Sequence, residues 1–116
     1  MKYEKDIKVR TEKFAIEIVK LFLELKKENK IDFVLLRQIL RSGTSVGANV
    51  TEGKASSSRK ELIRYYEIAL RSANETGFWF RVIEGGHELN GRFDRLKSEN
   101  EEISKVLGTI IINLKK

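Results

Sequence analysis

The stretch Leu40–Asn74, LRSGTSVGANVTEGKASSSRKELIRYYEIALRSAN, constrains the fold more than any other part of the chain. Two helical patterns meet there at a Ser-rich turn. In Ser58-Arg59-Lys60-Glu61 a hydroxyl precedes a carboxylate by three residues, the spacing of a capping box, so a helix is expected to start at Arg59. Gly53 suits the left-handed residue just past a helix end, which puts the end of the preceding helix near Glu52. On that helix Gly43 and Gly47 share a face with Leu36, Leu40, Val46 and Val50. On the next, Ala69, Ala73 and Gly77 share a face with Leu62, Tyr66 and Phe80. A glycine inside a helix costs roughly 0.5–1 kcal/mol relative to alanine, so two in one helix need a packing reason. Close backbone approach supplies it, with Gly43, Gly47, Ala69 and Ala73 as the packing residues. Folding the hairpin about residues 55–56 is expected to set Gly43 opposite Ala69, and Gly47 near Tyr65 or Tyr66.

The flanking sequence adds two more helices. Phe14, Ala15, Ile18, Leu21, Phe22 and Leu25 fall in one stripe of a helix over about residues 6–28. Asp32 can cap the helix that follows. The third helix is expected to run from Arg59 to about Glu84, and residues 85–91 (GGHELNG) read as a loop. Phe93, Leu96, Ile103, Val106, Leu107, Ile110 and Leu114 then repeat at three and four to the end. Three short connections between long helices predict one all-α domain over 1–116, an antiparallel up-down-up-down four-helix bundle. The absence of proline agrees with uninterrupted helices.

Some side chains fit a lone bundle less well. Ile16, Val19 and Leu23 form a second apolar stripe, opposite the core stripe of the first helix. They favour a subunit contact over scattered exposure. A polar stripe of Gln38, Ser42, Ser45, Asn49 and Glu52 lies beside the apolar face of the second helix. On the third, Glu61, Ile68, Ser72, Glu75 and Trp79 lie together. These read either as solvated faces or as a buried seam between subunits, with Asn49 and Ser72 exchanging hydrogen bonds. Trp79 favours the seam, because a large aromatic is usually at least half covered. The expected oligomer interface is therefore Ile16, Val19, Leu23, Ile68, Ser72 and Trp79, and a ring of copies is the expected assembly.

Little chemistry is encoded. There is no cysteine, and the one histidine, His87, sits in the glycine loop, so thiolate and di-iron sites are excluded. Ser56, Ser57 and Ser58 lack a neighbouring base. The carboxylate pairs Glu52/Glu61 and Glu75/Glu84 come with no sign of a pocket. Gly43-x-x-x-Gly47 lacks the Lys-Ser or Lys-Thr of a phosphate loop. No enzyme, cofactor or metal is expected. No run of apolar residues is long enough for a membrane span, and the first residues lack an apolar signal region, so the expected location is cytoplasmic.

Charge is more informative. The net charge is +6. In the predicted topology one pole gathers the start of the first helix, the Ser-rich turn and the last residues. It carries Lys2, Lys5, Lys8, Arg10, Lys13, Lys54, Arg59, Lys60, Arg64, Lys115 and Lys116 against Glu4, Asp6, Glu12, Glu52 and Glu61. That difference equals the whole net charge. Lys54, Arg59, Lys60, Arg64, Lys8, Arg10, Lys115 and Lys116 are the expected phosphate-binding residues. No base-reading motif accompanies them.

The run Leu40-Arg41-Ser42-Gly43-Thr44-Ser45-Val46-Gly47-Ala48-Asn49-Val50-Thr51-Glu52-Gly53, with Ser58-Arg59-Lys60-Glu61-Leu62 and Ile68-Ala69-Leu70-Arg71-Ser72-Ala73-Asn74-Glu75, resembles a group of small bacterial proteins. These are four-helix bundles encoded by intervening sequences inside large-subunit ribosomal RNA genes, and they are sometimes labelled ribosomal proteins. Accessory proteins of diversity-generating retroelements form a related branch. Gly43 and Thr51 stand where alanine is usual in the group. The resemblance implies a homo-oligomer, a pentamer first, with nucleic-acid binding as the usual suggestion. The expected function is a non-catalytic, oligomeric, RNA- or DNA-backbone-binding protein. The alternative is a scaffold that docks an acidic protein or a reverse-transcriptase-like enzyme.

Overall fold

Helix α1 (Lys2–Glu28) carries its core residues on one stripe and ends where that stripe ends. Asn29 turns the chain with a φ of 54°, and its N–H donates to the Leu25 carbonyl at 3.1 Å, closing an αL cap. Helix α2 (Phe33–Ala55) starts at Asp32, whose carboxylate accepts from the amides of Val34 (2.9 Å) and Leu35 (3.4 Å). Helix α3 (Arg59–Gly86) starts at Ser58, whose hydroxyl accepts from the Glu61 amide at 3.1 Å. Helix α4 (Asp94–Lys115) follows a turn in which Gly91 takes a φ of 76°. The computed structural model describes residues 2–89 and 91–116, with side chains from Asp6 onward. The expected pole charges on Lys2, Glu4 and Lys5, and the loop residue Asn90, lie outside those side chains.

Each helix packs against two others: α1 on α2, α2 on α3, α3 on α4, and α4 back on α1. Among the described residues the backbones of the diagonal pairs, α1 with α3 and α2 with α4, nowhere come within 8 Å between Cα atoms. The result is a rod of 45 × 20 × 20 Å with antiparallel neighbours, matching helices of roughly 33–42 Å. Phe14, Ile18, Leu36, Ile39, Tyr66, Phe80, Ile103 and Leu107 fill the core, and Phe80 meets Phe93 at 4.9 Å between ring centroids.

Several expectations need correction. The glycine seam of α2 faces α1, not α3. A Cβ on Gly43 would lie 2.9–3.1 Å from Ile18, and one on Gly47 would lie 2.9 Å from the Thr11 carbonyl oxygen. In a square bundle each buried arc has two edges, and these glycines lie on the edge toward α1. Gly53 is the residue that faces Tyr65 and Tyr66: a Cβ there would lie 3.0–3.1 Å from their side chains. It is helical rather than left-handed, because α2 continues to Ala55 and closes at Ser56, whose N–H donates to the Gly53 carbonyl. Gly85 and Gly86 likewise belong to α3, and the loop begins at His87. Ala69 and Ala73 are buried, and the small side chain of Ala73 lets Asn100 of α4 donate to its carbonyl at 2.8 Å.

Candidate nucleic-acid interface

The antiparallel order brings the start of α1, the α2–α3 turn and the end of α4 to one pole. Lys8, Lys54, Arg59, Lys60, Arg64 and Lys116 are exposed there. Arg64 lies over the ring of Tyr65, 4.7 Å from its centroid, which holds its guanidinium at the surface. Two of the expected residues differ from these. Arg10 is clamped by Glu99 of α4 through two hydrogen bonds of 2.8 Å, and that contact raises the already high guanidinium pKa. Lys115 donates to Glu67 of α3 at 2.8 Å and holds that carboxyl below the usual glutamate range. Both cations are engaged by the protein itself.

The same distinction separates α3 from α4. On α4 the cations Arg95, Lys97, Lys105 and Lys115 all sit in ion pairs, with Glu17, Glu84, Glu102 and Glu67. On α3 three of the four carboxylates are the engaged groups. Glu67 takes Lys115, Glu84 takes Lys97 at 2.8 Å, and Glu75 takes Arg41. The cations of α3, Arg59, Lys60, Arg64, Arg71 and Arg81, make no ion pair among the described residues. Neighbouring helices thus neutralise Glu67, Glu75 and Glu84 and leave the bases of α3 to solvent, while Glu61 at the helix start makes no ion pair among the described residues. Lys60, Arg64 and Arg71 line one outer ridge, and Arg71 extends the basic surface beyond the pole. Sequence reasoning missed Arg71. Its signal was the seven-residue spacing from Arg64, two turns along the same face.

The expected subunit-contact residues divide into two groups. Ile16, Val19 and Leu23 are 51%, 40% and 57% exposed on the outer face of α1. Ile68, Ser72 and Trp79 are half-buried on the side of α3 toward α2. The polar stripes there are joined within the chain. Ser72 donates to the Ser45 hydroxyl at 3.1 Å, and Asn49 donates to the Ser45 carbonyl at 2.9 Å. Trp79 Nε1 donates to Glu75 at 3.0 Å, and Glu75 also accepts from Arg41. The hydrogen bond from Arg41, then that from Trp79, holds the Glu75 carboxyl below its ordinary range. Unforeseen apolar exposure occurs at Phe33, Val34, Phe78 and Val82.

Among the described residues no group of three or more His, Cys, Asp or Glu is placed to hold a metal, and no helix is long and apolar enough to cross a membrane. The comparison that decides kinship covers nearly the whole bundle. The family model for the 23S rRNA-intervening sequence protein matches residues 4–109. This chain belongs to the 23S rRNA-intervening sequence protein family. A solved structure agrees with it: a protein of unknown function from the S23 ribosomal protein family of Bacteroides thetaiotaomicron VPI-5482. The two share 36% identity and a TM-score of 0.88, over 94% of this chain and 97% of that one. No curated protein matches. Membership in the intervening-sequence family accounts for the four helices and their connections. The pattern of engaged and open cations described above belongs to this chain's own side chains.

Proposed function

We propose that this intervening-sequence protein is a non-catalytic, cytoplasmic homo-oligomer, a pentamer first, that binds the phosphate backbone of RNA or DNA. The observation that carries the proposal is the division of charge on α3. Three of its four acids, Glu67, Glu75 and Glu84, are neutralised from α2 and α4, while Arg59, Lys60, Arg64 and Arg71 stay open beside the exposed Lys8 and Lys116. Open cations on one surface exchange condensed counterions for phosphates, which gives affinity without sequence preference. The apolar stripe Ile16/Val19/Leu23 and the Ile68/Trp79 side lie on different faces of the bundle. Two unlike patches are what a head-to-tail closed ring requires. Titration of labelled RNA and duplex DNA at two salt concentrations tests the binding. Affinity should fall steeply with salt and depend little on sequence. No binding at low salt would overturn the proposal.

The exposed apolar surface supports a second reading, a scaffold for an acidic protein partner. Phe33 is 47% exposed and packs on Phe22 at 6.0 Å, with Lys26 and Arg37 at 5.6 and 5.9 Å from its ring centroid. An aromatic ringed by cations is the chemistry of an interface anchor for acidic surfaces. Failure to bind nucleic acid would move the weight to this surface.

A further inference from the structure

We infer that the outer ridge of α3 is a track for single-stranded nucleic acid, with Phe78 as the platform on which an unpaired base stacks. This rests on the nucleic-acid reading above and names the ligand of the same surface. At 100° per residue, Lys60, Arg64, Arg71 and Phe78 fall within an arc of about 40° on α3. Arg64, Arg71 and Phe78 are spaced by seven residues, about 10.5 Å per step. All four side chains are exposed.

Phe78 does not behave as a stray apolar residue. It is 47% exposed, and its ring meets Trp79 edge-on at 5.1 Å with 75° between the planes. Trp79 is fixed by its hydrogen bond to Glu75, and Glu75 by Arg41 of α2. A chain of contacts across two helices therefore backs an aromatic ring at the surface. Open cations precede it on the ridge, and the acid among them, Glu67, is covered by Lys115.

Cations that follow a backbone, with an aromatic ring that takes a base, are the parts of single-strand recognition. In a duplex the faces of the bases are hidden by their stacked neighbours, so a surface phenyl gains nothing from them. In an open strand every base has a free face, which makes stacking indifferent to sequence. RNA and DNA strands share this chemistry, and the test includes both.

The experiment is fluorescence anisotropy with labelled oligo(U), oligo(dT) and duplex DNA of equal length, using the full chain. Wild type should bind both single strands more tightly than the duplex, and Trp79 emission should be quenched on binding. Phe78→Ala should weaken single-strand binding about tenfold. The salt slope should not change, because no phosphate contact is removed, and the duplex should bind as before. Phe78→Trp should restore the single-strand preference. Circular dichroism checks that each variant is folded, as expected at an exposed site. Equal binding of strands and duplex, with both lost on removing Lys60, Arg64 and Arg71 but neither affected by Phe78→Ala, leaves the basic ridge standing and overturns the single-strand inference. Absence of any binding at low salt overturns both.

Discussion

Gly47 of α2 packs directly against the carbonyl of Thr11 in α1. A Cβ at Gly47 would sit 2.9 Å from the carbonyl oxygen and 3.1 Å from its carbon. Backbone cannot yield as a side chain can. Gly47→Ala is therefore expected to destabilise the bundle by about 1–3 kcal/mol despite alanine's better helix propensity. Gly43 is the comparison, because its close neighbour is the Ile18 side chain, which can give by tenths of an ångström where backbone cannot. Thermal melts should place Gly47→Ala well below wild type, at roughly 4–8 °C per kcal/mol, and Gly43→Ala closer to wild type. The reverse order would show that the α1–α2 contact is misplaced.

The helices, the two N-caps and the core stripes were legible in the sequence because each depends on neighbours within a turn or two. Ser58 and Asp32 accept their amides as their spacing predicts. What the sequence hid is which of two adjacent helices a residue meets. Gly43 and Gly47 lie in the expected buried arc, but the edge of the arc they occupy is set by packing. Charge suffered in the same way. A list of lysines and arginines does not separate Arg10, clamped by Glu99 from a helix 89 residues away, from Arg64, which stacks on its neighbour. Phe78 and Val34 were passed over because helical periodicity identifies a core and says nothing of isolated apolar residues outside it.

Acid should loosen the α2–α3 contact. Glu75 has a folded-state pKa below its ordinary value of 4.5, because Arg41 and then Trp79 bond its ionised form. Its contribution is complete above about pH 4.5 and is lost as the pH falls through the lower folded value. Glu75→Gln should cost within about 1 kcal/mol at neutral pH, since the pair is largely solvated. It should also remove that part of the acid sensitivity. Urea melts at pH 7 and pH 3 measure both, and Trp79 emission reports the lost hydrogen bond directly. A mutant with the wild-type pH profile would show that Glu75 makes no net contribution.

Assembly should depend on the outer stripe of α1. Leu23 is 57% exposed and Ile16 51% exposed, so Ile16→Glu with Leu23→Glu disturbs no core contact. The proposed ring buries both positions, where an unpaired charge is strongly unfavourable. Multi-angle light scattering should give a mass several times 13.4 kDa for wild type and 13.4 kDa for the double variant, with unchanged helical content. A wild-type mass of 13.4 kDa would contradict the ring.

The central claim is that open cations, and not cations in general, make the binding surface. Two quadruple variants of equal charge change test it in one titration against labelled RNA. One replaces Arg59, Lys60, Arg64 and Arg71 with Gln. The other replaces Arg92, Arg95, Lys97 and Lys105, each paired with a glutamate in the fold. Surface substitutions of this kind usually move stability by under about 0.5 kcal/mol each, so both should fold. The first variant should lose most of the affinity for all sequences and flatten the salt dependence, while the second binds almost as wild type does. Equal losses in the two variants would contradict the account, because they would make binding a matter of net charge alone.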